Sequence, residues 1–268
     1  MERSLVTTLK DTYSFLNNTD NKYLIDWKAG PAIKEFIFKE GSNINLLEID
    51  TPHSDVTYIL EKNVTLHLLI SSLEDALSSC RKFVLSENSN IVVAVADFSS
   101  GEKVEKFDFD IAKPGATVHF HLATLSAEND KKEFSVSFKH NAMHTYAEMN
   151  NYGVCVENSR LVFSGVGHVI KGAKQTKTHQ NAKIMVFDPH CYALANPVLK
   201  IDENEIEASH AAAVGKVNEE HLFYLTSRGL KEEEAKQLIT LGYLKPILPY
   251  FDEEVSNKIS ETMERRMK

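Results

Sequence analysis

Through its middle the chain alternates apolar and polar positions with the two-residue period of extended strands. Val64, Leu66, Leu68 and Ile70 share one parity, and Ile91–Phe98 is a nearly continuous apolar run. Phe107, Phe109 and Ile111 alternate with Asp108 and Asp110, and Val118, Phe120 and Leu122 alternate with His119 and His121. Phe134, Val136 and Phe138 alternate with serines, and weaker segments follow at Arg160–Phe163, His168–Ile170, Lys183–Phe187, Tyr192–Ala195 and Val198–Ile201. Glu205–His210 keeps the same period. No helical period intervenes between Asn90 and Val214, so the pattern predicts short strands joined by brief polar turns: a sandwich, a barrel or a β-solenoid. The chain contains no Asn-Gly, Asp-Gly or Gly-Gly, the dipeptides that tight hairpins favour. Lys113-Pro-Gly-Ala and Lys171-Gly-Ala-Lys punctuate the strands in similar ways, as stacked coils would. The pattern therefore leans towards a solenoid, although no clean repeat period emerges.

The two ends read differently. Leu5, Leu9, Tyr13 and Leu16 recur at helical spacing, and Pro31–Lys39 suggests another short element. After Gly215 the strand period stops. Asn218 is placed to cap a helix with Glu219 and Glu220 in its first turn, where negative charge meets the helix dipole favourably. Gly229 is placed to end that helix in a left-handed conformation. A second helix is predicted from about Glu232, with Glu232 one turn before Lys236. Pro246 and Pro249 interrupt it. Asp252 is placed to cap a last helix whose stripe of Val255, Ile259, Met263 and Met267 fits either the protein's own core or a partner. This divides the chain into a mixed region over 1–43, a β core over 44–216 and a helical region over 217–268.

Composition narrows the function classes. At 268 residues with 43% hydrophobic content, the chain is long enough for a sizeable core. The formal charge of −8 argues against general affinity for nucleic acid or an anionic membrane, both of which need a basic surface. The acidic residues of the last third, Glu203 to Glu207 and Glu232 to Glu234 among them, read first as a solvated face. Cys80, Cys155 and Cys191 are odd in number and lack CxxC spacing, which speaks against a disulfide framework or a structural zinc site. Met1-Glu-Arg-Ser does not open a signal peptide, and no uncharged apolar run reaches the length of a bilayer span. A reducing, cytoplasmic location is expected.

Residue chemistry alone leaves alternatives open. His119-x-His121 places two imidazoles on one strand face, as some metal sites do, but Gly115 is too close and Glu128 too far for the cupin motif. Cys191 follows His190 in a turn entering a strand, without a second cysteine at ligand spacing. His179 and His210 are single histidines. No Walker loop, GxGxxG or Ser/His/Asp order is present.

The run from Asn196 to Leu244 carries more. Pro197-Val-Leu-Lys-Ile201, Ala208-Ser-His-Ala-Ala-Ala-Val-Gly215, Phe223-Tyr-Leu-Thr-Ser-Arg-Gly229 and Glu232-Glu-Glu-Ala235 follow one another in order and spacing. This resembles the C-terminal core of the SufB/SufD family of iron–sulfur cluster assembly proteins, in its SufD-like form. Ser159-Arg-Leu-Val-Phe-Ser-Gly165 and Gly172-Ala-Lys-Gln-Thr-Lys-Thr-His-Gln180 resemble the family's preceding coils, and Val136–His140 is similar to a strand leading to a family histidine. The first part is shorter than the family's usual N-terminal region and matches little of it.

The resemblance implies a right-handed parallel β-helix with a C-terminal helical domain, acting as a scaffold subunit and not as an enzyme. It implies that the end of the β-helix pairs with a SufB-like subunit or with a second copy. It also implies that the helical end binds a SufC-like ABC-type ATPase through Phe223, Tyr224, Leu225, Ser227, Arg228, Gly229, Glu234 and Leu238. His210 maps onto the family's interface histidine and would add a nitrogen ligand or proton acceptor. His179 falls where a SufB-like chain has a cysteine, and Cys191 is a further interface candidate. No stably bound cofactor is implied, at most a transient iron–sulfur cluster at the partner interface. The chain departs from the pattern at Ala211, which would restrict the backbone if φ is positive there, at Ala213, which lacks a hydroxyl, and at Lys231, a poor helix cap. Two other readings remain: a cupin-like or β-helix metal-binding enzyme using His119 and His121, and a structural homodimer without cluster chemistry.

Overall fold

The structure, a computed structural model, describes residues 3–6, 10–16 and 21–267. Its strands are β1 (Ser4–Leu5), β2 (Thr12–Phe15), β3 (Lys22–Asp26), β4 (Glu35–Phe38), β5 (Asn43–Ile49) and β6 (Val56–Leu60). They continue as β7 (Thr65–Ser72), β8 (Ser79–Leu85), β9 (Asn90–Asp97), β10 (Glu102–Ile111), β11 (Thr117–Ser126) and β12 (Lys131–His140). The last are β13 (Tyr146–Cys155), β14 (Arg160–Val169), β15 (Thr176–Val186), β16 (Tyr192–Ile201) and β17 (Ile206–Lys216). Every ladder is parallel, and strands pair with the neighbour two places on. Odd-numbered strands form a nine-stranded sheet and even-numbered strands an eight-stranded one. The chain thus winds as a parallel β-solenoid with two long walls.

Register explains why no repeat is visible in the sequence. Paired residues lie 19 apart between Ser4 and Tyr23, 22 apart between Leu46 and Leu68, and 31 apart between Met149 and Gln180. The coils widen as the strands lengthen, so no single interval holds along the chain: in the eight-stranded sheet it reaches 29 residues between Glu102 and Lys131 and again between Lys131 and Arg160, but not before or after. The helical reading of the first residues is overturned: Leu5 lies in β1 and Tyr13 in β2, while Leu9 lies outside the described residues. Four apolar residues at one spacing are outweighed by pairing with the next coil, which supplies hydrogen bonds and an apolar wall.

The lumen is filled by stacked columns. One wall carries Leu46, Leu68, Val93, Phe120 and Met149 in register, and the other Phe36, Tyr58, Phe83, Phe109 and Phe138. Rings of the second column follow one another at 5.3, 4.7, 4.4 and 5.4 Å, within the range where aromatic pairs attract. Strands of the eight-stranded sheet alternate because their outer face meets water. The continuous run in β9 arises because both its faces are covered. Outside it lies a second core, in which Leu69, Ala94, Phe98, Leu125 and Val154 pack against Leu244, Ile247, Val255, Ile259 and Met263. Gly153 shows how tight the lumen is: a Cβ there would lie 2.4 Å from Leu161 Cδ2 and 2.9 Å from Phe163 Cζ. Gly153→Ala is expected to lower stability by about 1–3 kcal/mol through overpacking. Gly215→Ala, with no atom within 4 Å of the added carbon, should be close to neutral when both variants are compared with the wild type by thermal unfolding.

The helical region comprises α1 (Glu219–Ser227), α2 (Glu232–Leu244), a 3-10 segment (Lys245–Tyr250) and α3 (Glu253–Arg266). The Asn218 side chain accepts from the Glu220 amide, Gly229 has φ 100°, and Asp252 accepts from the Val255 amide, as the cap residues predict. The α3 stripe packs on the solenoid's own outer face, which settles its role in favour of the core. Lys231 supplies no side-chain acceptor. The Glu234 carboxylate instead reaches back to the Lys231 amide at 2.8 Å, and Glu232–Glu234 place three negative charges in the first turn.

Candidate functional site

The solenoid ends on an uncovered coil. At this end β16 and β17 form the edges of the two sheets, as β2 and β1 do at the other, and among the described residues no strand lies beyond either row of backbone groups. Almost every residue of β17 is exposed, as are Tyr192, Leu194, Ile201 and Val214 around the mouth. At 11 residues, β17 offers an edge roughly 36 Å long at the rise of an extended strand. Pro197 is tolerated in β16 because an edge strand has no outer ladder for its missing N–H to join.

His210 stands in the middle of β17. It pairs with Gln180 of β15, which pairs with Met149, so it continues the inner column into the open mouth. Its imidazole makes no hydrogen bond to any described residue. His179 pairs with Ser209 and therefore faces outward, with Nδ1 2.7 Å from Ser209 Oγ and Nε2 3.7 Å from Glu207 Oε1. The two histidines thus lie on adjacent strands but on opposite faces of one sheet. Cys191 lies just ahead of β16, at the corner where β15 and β17 end. Six residues, roughly 20 Å of strand, separate His210 from Lys216 at that corner. The three interface candidates do not converge. Among the described residues no group of three or more His, Cys, Asp or Glu is arranged to hold a metal ion.

The cysteines are thiols. Burial pushes Cys155 up to about 12, with Ser159 Oγ at 3.2 Å working the other way. Burial also raises Cys191, whose Sγ lies 3.5 Å from the Glu157 carbonyl. Neither is a ready thiolate near neutral pH. Ala211 and Ala213 face outward in extended strand, and Ala211 has no positive φ, so its methyl group strains nothing.

His119 and His121 share the outer face of β11, as their spacing predicts. Their partners, however, are structural: His119 Nδ1 lies 2.9 Å from Glu148 Oε1, and His121 stacks on Tyr250 at 4.9 Å. Tyr146 donates to Glu148 at 2.8 Å. A cavity of about 300 Å3 beside His121 is lined by Asn150, Tyr152, Tyr243, Pro246 and Tyr250. A parallel solenoid is also not the antiparallel double sheet of a cupin, so the cupin comparison fails.

On the helical side, α1 buries none of its residues, and Phe223 and Tyr224 are 73% and 56% exposed. Leu238 of α2 is also exposed, and Leu225 is half-buried. The Arg228 guanidinium sits 5.1 Å from the centre of the Tyr224 ring, a cation–π contact that holds both side chains at the helix end. The Ser227 hydroxyl donates to the Tyr224 carbonyl, and Glu234 is engaged as a cap. The two rings thus stand in solvent on a helix whose first turn carries Glu219 and Glu220.

Sequence reasoning missed a set of lumen charges. Glu48, Arg81, Glu105, Lys103, Asp97 and Lys132 are fully buried and linked in that order. The spacings are 3.0 Å for Arg81–Glu48, 2.9 Å for Lys103–Glu105, 2.5 Å for Lys103–Asp97 and 2.7 Å for Lys132–Asp97, with Arg81 also bonded to Glu105. Burial disfavours the charged forms of Arg81, Lys103, Asp97 and Lys132. The neighbouring carboxylates outweigh it at Arg81 and Lys103, which are raised, and the two lysines outweigh it at Asp97, which is held well below the usual carboxylate range. At Lys132 burial prevails and its value is lowered. The available signal was phase: Arg81 shares parity with Phe83, and Lys103 and Glu105 with Phe107.

The chain is an open-ended parallel solenoid that carries a short helical region whose first helix is mostly exposed. The sequence signature described as "SUF system FeS cluster assembly, SufBD core domain" matches residues 28–243, and the chain belongs to that family. It is 23% identical over 268 residues to the iron–sulfur cluster assembly protein SufD of Bacillus subtilis, covering all of this chain and 56% of that protein. It is 29% identical over 129 residues to a SufBD family protein of Staphylococcus saprophyticus, covering 48% of this chain and 27% of that protein. A SufBD family protein of Staphylococcus aureus strain USA300 is 28% identical over the same length. The chain therefore spans about half the length of its SufD relative. No helix among the described residues is long and apolar enough to cross a membrane.

Proposed function

We propose that the protein is a non-catalytic scaffold subunit of a SUF-type iron–sulfur assembly complex in the cytoplasm, with two docking surfaces. The open coil of β16 and β17 receives a SufB-like subunit or a second copy of this chain, and α1 with the start of α2 receives a SufC-like ABC-type ATPase. The observation that carries the reading is α1: a nine-residue helix with no fully buried residue, which keeps Phe223 and Tyr224 outward with Arg228 at its end. Unpaired strand edges on the terminal coil support the first surface, because parallel edges of this length are templates for another chain. At that junction His210 supplies an imidazole to a transient cluster, or takes up a proton while the cluster is built. The cluster is cargo held between subunits, which fits the dispersal of His179, His210 and Cys191. Nucleic acid and membrane are not partners of so acidic a chain.

The test is binding of the full chain to the SufC-type ATPase of the same organism. The intact protein is expected to bind, and Phe223→Ala and Tyr224→Ala each to weaken binding roughly 30-fold, the effect of losing an interface anchor of about 2 kcal/mol. Failure of the intact protein to bind would refute the ATPase assignment.

A further inference from the structure

Directly beneath the mouth, the composition of the lumen changes. The aromatic column that ends at Phe138 is followed by Gly167, and the neighbouring column of Phe107 and Val136 is followed by Gly165. Across from these glycines the inner column of the odd strands turns from Met149 to Gln180, which is 3% exposed. The glycines make room for its amide. A Cβ on Gly165 would lie 2.5 Å from Gln180 Oε1, and one on Gly167 would lie 2.8 Å from Nε2. The amide therefore spans the lumen, where Nε2 donates to the Val198 carbonyl of β16 at 3.1 Å. Its Oε1 is buried and has no partner among the described residues. A buried amide oxygen without a donor costs on the order of 1–3 kcal/mol, so a neighbouring side chain that donates to it stabilises the site. The residue next in register on the mouth side is His210, whose ring is likewise unbonded.

We propose that Gln180 is a positioning residue for His210. Its Oε1 accepts one imidazole N–H, which fixes the neutral tautomer and leaves the lone pair of the other nitrogen directed out of the mouth. An outer partner that sets which ring nitrogen is free is the usual way a ligand histidine is prepared. The purpose of this pairing rests on the open coil being a docking surface; the proposed hydrogen bond, which neither group makes in the structure, needs only atoms of this chain. Among the described residues no acidic side chain shares the inner column with Gln180, and Glu207 lies on the outer face with His179, so the amide is the acceptor that the column offers.

The experiment is nitrogen-15 spectroscopy of the histidine rings in the full-length protein, with His210 assigned by its absence in His210→Asn. In the wild type, His210 is expected to show the shifts of one neutral tautomer at pH 8. Gln180→Met, which keeps the length but removes the acceptor, should return it to a mixture of both tautomers. Gln180→Glu, which retains an acceptor, should restore the single form. A mixed-tautomer His210 in the wild type overturns the proposal whether or not the variants fold, and so does a single tautomer that persists in folded Gln180→Met. Iron–sulfur enzyme activity in cells carrying His210→Ala separates the readings. Unchanged activity would remove the cluster role of His210 and leave the tautomer result standing.

Discussion

Replacing Arg81 by methionine is expected to lower the unfolding free energy by about 3–5 kcal/mol, read as a fall in the urea midpoint. The guanidinium is fully buried between Glu48 and Glu105, and two further contacts to Glu48 come from Tyr58 and from Trp27 at 2.9 Å. Methionine fills the space but leaves two carboxylates in the lumen with one fewer cation. The six linked ions sum to zero net charge, so removing one unbalances the chain of contacts and not just one pair. A surface pair supplies the comparison. Lys131–Glu102 is 60% and 72% exposed, and Lys131→Met should cost no more than about 1 kcal/mol. An Arg81→Met variant as mild as Lys131→Met would mean that the lumen charges are hydrated or unpaired in solution. Replacing all six by apolar residues of like volume is a different experiment, and could be neutral or stabilising.

The strands from Val64 to Val214 were legible because a half-buried wall imposes a period of two and the Asn218, Gly229 and Asp252 caps impose their own chemistry. What was not legible depended on residues far apart in the chain. Leu5 and Tyr13 carry a local helical spacing that pairing with the next coil overrides. The outer coverage of β9 by the 3-10 segment Lys245–Tyr250 is invisible in either segment alone. Arg81, Lys103 and Glu105 read as ordinary surface charges unless their phase is weighed against their type. The site divides in the same way. His210 is singled out through a family motif, and its place on the inner column follows only from the Gln180 pairing. His179 sits one residue before Gln180, the position that shares a face with His210, and only the register between β15 and β17 reveals that offset.

His140 should make the protein lose stability in mild acid. It ends β12 inside the lumen, with Nδ1 2.8 Å from Thr145 Oγ1 and Nε2 without a partner among the described residues. Burial pushes its value down from 6.5 to about 4, and no carboxylate offsets that. The unfolded chain therefore binds this proton more readily than the folded one. The stability associated with the neutral ring is complete above pH 6.5 and is lost as pH falls from 6.5 towards 4. The full loss is about 3 kcal/mol at 1.36 kcal/mol for each pH unit of displacement, and about 2 kcal/mol of it falls between pH 7 and pH 5. His67 and His121 are lowered by burial too and add in the same direction, so the test is a difference between two proteins that share them. His140→Leu keeps the site apolar and leaves Thr145 bonded to Thr176 at 2.9 Å. Its urea midpoint should fall less steeply between pH 7 and pH 5 than that of the wild type, by the equivalent of about 2 kcal/mol. Parallel slopes for the two proteins would mean that His140 titrates near its ordinary value, and hence that the lumen at the end of β12 is open to water.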